Sequence, residues 1–70
     1  MDNKEIGRRV KKSVKESGMT QEEVADRSDM SKSHLHKMKI GATKSTLSAL
    51  SRVGRVVGRS LGWYLKKEKK

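Results

Sequence analysis

The chain has 70 residues, no cysteine and no proline, and carries 18 Lys and Arg against 8 Asp and Glu, a formal net charge of +10. That length fits one small domain, the lack of cysteine excludes disulfides and thiolate metal sites, and no apolar run reaches the ~20 residues that span a bilayer. The positive excess points to a polyanionic partner, nucleic acid ahead of an anionic membrane face.

The N-terminal MDNKEIGRR lacks the apolar stretch of a signal peptide, so a cytoplasmic protein is expected. A first helix is predicted from about Lys4 to Ser17, with Ile6, Val10 and Val14 inward and Arg8, Arg9, Lys11, Lys12 and Lys15 outward. Arg8, Arg9, Lys11 and Lys12 read as a solvated face that adds long-range attraction, with one or two of them in reach of a nucleic-acid backbone. Gly18 supplies the left-handed stop. A second helix follows over about 21–28. Thr20 and Glu23 have capping-box spacing, and Val24 and Ala25 face inward. This stretch is acidic, with Glu22, Glu23, Asp26 and Asp29 against Arg27 alone. Asp29 falls in the turn that comes next, where Asp tolerates a left-handed backbone better than most residues other than glycine.

Ser31 is a good N-cap for a third helix over about 32–39, anchored by Leu35 and Met38. Its other positions are Lys32, Ser33, His34, His36, Lys37 and Lys39, an exposed side rich in hydrogen-bond donors and suited to an anion. A loop over 40–44 leads to a fourth helix over about 45–57, with Leu47, Leu50, Val53, Val56 and Val57 at three- and four-residue spacing. Ser60 caps a fifth over about 61–65, and a basic tail fills 66–70. Interior glycines at 7, 54 and 62 each cost roughly 1 kcal/mol against alanine by helix propensity.

Two short helices joined by a tight turn, the second basic and cupped by a larger bundle, describe a helix-turn-helix. A DNA major groove about 12 Å wide admits one α-helix, while the preceding helix crosses the backbone with its N-terminus toward a phosphate. Lys32 and Lys37 can donate to guanine O6 and N7 or neutralise phosphates. Histidines two apart on a helix point to different sides, so His34 and His36 read as DNA contacts or solvated imidazoles rather than zinc ligands. No nucleophile, acid–base or phosphate-loop constellation is present, and the expected protein is a non-enzyme without cofactor, metal or small-molecule ligand.

The stretch TQEEVADRSDMSKSHLHKM resembles the helix-turn-helix of the phage-repressor and Cro-like family, the Xre-type regulators. The resemblance extends to IGRRVKKSVKESGMT before it and TLSALSRVGRVVGRSLGWYL after it, covering about Ile6 to Leu65. It implies an all-α, five-helix, lambda-repressor-like domain over residues 1–65. Such a domain binds double-stranded DNA as a homodimer on a palindromic operator, usually as a repressor of transcription. By position it implies base contacts from Lys32, Ser33 and Lys37, with His36 added as a neighbour on the same helix. Phosphate contacts are expected from Gln21, Thr43, Lys44 and Ser45, and from His34 and Lys39 beside them. Gln21 would also brace the third helix. Asp29 replaces the family's usual turn glycine, and Lys39 stands where the family often has Glu. Leu61, Tyr64 and Leu65 account for the inward positions of the fifth helix, while Trp63 occupies a place the family keeps polar. An exposed Trp63 with Leu61 and Tyr64 nearby is therefore expected to form a dimer interface. The competing readings are a protein-interaction module (an antirepressor or adaptor) using the fifth helix, and a basic amphipathic membrane binder.

Overall fold

A computed structural model describes residues 3–65 of the chain, so the expected basic tail lies outside the described residues. These residues form five helices and no strand: α1 (Asn3–Ser17), α2 (Gln21–Arg27), α3 (Lys32–Ile40), α4 (Leu47–Val57) and α5 (Leu61–Leu65). The architecture is the expected all-α one. No helix among the described residues is long and apolar enough to cross a membrane.

Hydroxyl caps start four of the helices, each accepting an orphan N–H of the first turn. Thr20 accepts from Glu23, Ser31 from His34, Thr46 from Ala49 and Ser60 from Trp63, at 3.0–3.3 Å. The Glu23 carboxylate pairs with Arg27 (3.1 Å) and does not turn back on Thr20, so half of the expected capping box is replaced by an i,i+4 ion pair. The cap at Thr46 also moves the start of α4 two residues beyond the expected Ser45. At its other end α3 runs one residue further than expected, to Ile40, and stops at the left-handed Gly41. Asp29 has φ +59, the left-handed turn conformation expected of it.

Ile6, Val10 and Val14 of α1 meet Val24 and Ala25 of α2, Leu35 and Met38 of α3, and Leu50 and Val53 of α4 in one core. Ala25 is small and buried where the two helices of the motif cross. Leu47, expected to face inward, is 59% exposed because the later start places it in the first turn of α4, and Val56 and Val57 are only partly buried. Tyr64 of α5 is the largest fully buried side chain, and its hydroxyl meets the buried Ser13 hydroxyl at 2.9 Å. Burial pushes the Tyr64 phenol above its ordinary value, against the smaller opposing pull of the Ser13 hydrogen bond.

The interior glycines are not equivalent. A Cβ at Gly7 would stand 2.6 Å from the Met38 carbonyl oxygen and 2.7 Å from that of Lys39, so only glycine lets α1 lie this close to α3. At Gly54 a Cβ would strike the Arg59 carbonyl oxygen. Gly62 has open space, its nearest neighbour being the Ser60 hydroxyl at 3.9 Å. The propensity cost expected at all three sites is therefore offset by packing at Gly7 and Gly54. Thermal melts should show Gly7→Ala destabilised by roughly 1–3 kcal/mol through overpacking. Gly62→Ala should gain about 0.5–1 kcal/mol. Equal gains in the two variants would contradict the packing at Gly7.

Candidate nucleic-acid interface

With 3.6 residues per turn, Leu35 and Met38 occupy one arc of α3 and Lys32, Ser33, His36 and Lys37 the other. Leu35 and Met38 are completely buried, while those four side chains are exposed. His34 is also exposed, between the two arcs, and its N–H is taken by the Ser31 cap. The donor-rich face is thus presented outward on a helix anchored from beneath.

Gln21, at the start of α2, reaches across to both ends of α3. Its Oε1 accepts from the Lys39 ammonium at 2.5 Å, and its Nε2 donates to the Lys32 carbonyl oxygen over a long 3.5 Å contact. The bracing expected of Gln21 is present, and Lys39 is its partner. Lys39 is consequently only partly exposed, held against protein rather than extended into solvent. Partial burial and, to a smaller extent, the charge of Lys11 hold its ammonium below the ordinary value of 10.5.

Two clefts flank this brace. One, of about 600 Å³, is lined by Thr20, Gln21, Glu22, Lys32, Ser33 and His36. There the Glu22 carboxylate lies 3.9 Å from the Lys32 ammonium, an exposed pair of small energetic weight. The other, of about 580 Å³, is lined by Lys4, Arg8, Lys11, Gln21, His36, Lys39 and Ile40. Thr43 and Ser45 in the α3–α4 loop are partly exposed and Lys44 is exposed. Ser45 precedes the Thr46 cap and therefore stands in the loop, not on the helix start expected for it.

The family model for helix-turn-helix domains matches residues 10–64, more than half of the chain. The chain belongs to the Xre-type helix-turn-helix family. It is accordingly a DNA-binding transcriptional regulator, and its partner is double-stranded DNA. Neither a curated protein nor a solved structure matches it. Among the described residues no group of three or more His, Asp and Glu side chains is placed to hold a metal ion.

Three features of this regulator depart from expectation. Tyr64 lies wholly in the core, as its inward position on the fifth helix implies, so the interface role expected of it is not available to its ring. Trp63 is partly buried, set edge-on to Tyr64 at 5.1 Å with the Arg59 guanidinium 5.0 Å from its ring centre, rather than standing free in solvent. Arg59 in turn pairs with Glu16 of α1 at 2.7 Å. Arg9 is not part of a solvated face either. Its guanidinium donates to the Tyr64 carbonyl oxygen at 3.0 Å and to Glu5 at 3.1 Å, tying α1 to the end of α5. Nothing local in RRVKK separates Arg9 from Arg8. Only its helical position, beside Ile6 and Val10 at the edge of the apolar face, could have marked it. Arg9→Gln should lose about 1.5–3 kcal/mol of stability, the range for hydrogen bonds to charged groups. Arg8→Gln should leave the melting temperature unchanged, and a reversed order would contradict this assignment.

Proposed function

We propose that this regulator is a repressor that binds a palindromic operator in the cytoplasm as a homodimer, with α3 of each protomer in the major groove. Lys32, Ser33, His36 and Lys37 read base edges. Gln21, Thr43, Lys44 and Ser45 hold the phosphate backbone, with His34 at the margin and Lys39 acting chiefly through its bond to Gln21. The observation that carries the reading is the exposed donor face of α3 over the buried pair Leu35 and Met38. A helix so anchored keeps its side chains in one register, as base readout requires.

Leu61 and Trp63 retain exposed edges on α5 and form the proposed contact between protomers; Tyr64 supports it from the core. The competing reading, a protein-interaction module on the same fold, draws on the same edge of α5 and predicts that Lys32 and Lys37 are dispensable. The packing of Trp63 against Tyr64 and Arg59 reduces the free surface of that ring for either kind of protein contact.

Selection of bound sites from random duplexes at near-physiological salt tests the reading. Two half-sites about 34 Å apart should be enriched, and Lys32→Ala or Lys37→Ala should cost about 1–3 kcal/mol with relaxed preference at one base pair each. Enrichment of an isolated half-site would contradict the homodimer. The absence of any enrichment would contradict sequence-specific regulation.

A further inference from the structure

The basic cleft between α1 and α3 is not accounted for by the helix-turn-helix itself. Lys4, Arg8 and Lys11 sit at i, i+4 and i+7, so they form one row along α1, and all three are exposed. That row faces Lys39 and His36 of α3 across the cleft, and no carboxylate among the described residues lines it. Other cations of the protein are matched differently. Arg9, Arg27 and Arg59 each pair with a glutamate, whereas Arg8 and Lys11 make no ion pair among the described residues. Lys11 and Lys39 are close enough for the charge of one to act on the other. The free protein thus gathers like charges that an anion would relieve.

We propose that this cleft seats a phosphate of the bound duplex, so that Arg8 and Lys11, with Lys4 at the rim, grip the DNA backbone beyond the reach of α2 and α3. The proposal rests on the DNA-binding reading given above and extends its footprint onto α1. One observation favours a duplex phosphate over a free anion: Gln21 and His36 line both this cleft and the one beside Lys32 and Ser33, so the row is continuous with the exposed face of α3. The row differs from a merely solvated helix face in having a second wall, supplied by Lys39, His36 and Ile40.

The test compares two variants that each remove two charges per protomer. Arg8→Gln/Lys11→Gln alters the cleft. Arg52→Gln/Arg55→Gln alters exposed arginines of α4 that line a separate cleft with Arg27, Ser28, Asp29 and Val56. Binding to the selected duplex and to an unrelated one is measured by fluorescence anisotropy over a salt series, after melts show that both variants fold. The cleft variant should flatten the plot of log K against log[salt] by about 0.9 for each phosphate that is no longer neutralised. It should weaken both duplexes alike and leave the preferred sequence unchanged, and the α4 variant should change the slope by less than half as much. Equal slopes for the two variants would mean that only net charge acts, and would overturn the proposal. A cleft variant that binds like the wild type would do so as well. Failure of the wild type to bind any duplex would instead remove the underlying DNA-binding reading, and the proposal with it.

Discussion

The contact on which the rest of the molecule depends is the approach of α1 to α3 at Gly7. There the backbone of α1 lies against the carbonyl oxygens of Met38 and Lys39 with no room for a side chain. This contact places the C-terminal half of α3, while Leu35 and Met38 fill the core beneath it. The consequence is electrostatic as well as steric. Drawing the two helices together brings Lys11 near Lys39 and opens a cation-lined cleft beside α3. Packing and surface charge therefore share one origin. A bulkier residue at position 7 would displace the exposed face of α3 along with the core.

A second set of contacts fixes α5, which at five residues is too short to be stable alone. Its docking relies on Tyr64, whose ring fills the core and whose hydroxyl meets Ser13, and on Arg9, which takes its carbonyl oxygen. A buried hydroxyl left without a partner costs about 1–3 kcal/mol. Ser13 already donates to the Val10 carbonyl oxygen at 2.8 Å, so it is the Tyr64 hydroxyl that depends on this contact, with Ser13 Oγ as its acceptor. The outer edges of Leu61 and Trp63 are presented by the same arrangement, with Arg59 linking the Trp63 ring to Glu16 of α1.

Much of the fold was legible in the sequence because its signals are local. The three- and four-residue spacing of Ile6, Val10 and Val14, the caps at Thr20 and Ser31, and the left-handed Asp29 all depend on neighbours within one or two turns. The start of α4 was not legible, since Ser45 and Thr46 are adjacent hydroxyl residues of similar capping strength. The choice depends on which one reaches a free N–H, here that of Ala49. The roles of Arg8 and Arg9 were equally hidden. They are chemically identical, and Arg9 finds its partner 55 residues away. Of the candidate interface, the exposed face of α3 could be read from periodicity, together with the bracing by Gln21 that the family resemblance implied. The inward position of Tyr64 was legible too, but its hydroxyl partner Ser13, the involvement of Lys39 in that brace and the second wall of the α1 cleft arise only when distant segments pack.

The central claim is that DNA meets the face of α3 held outward by Leu35 and Met38. It is tested most directly by titrating ¹⁵N-labelled protein with a duplex carrying its selected site and following the amide resonances. The account predicts that the largest shifts fall on residues 32–39 and on Gln21, continuing onto the exposed row of α1, while the C-terminal half of α4 changes little. Shifts centred on α4 and α5, with α3 unaffected, would contradict it.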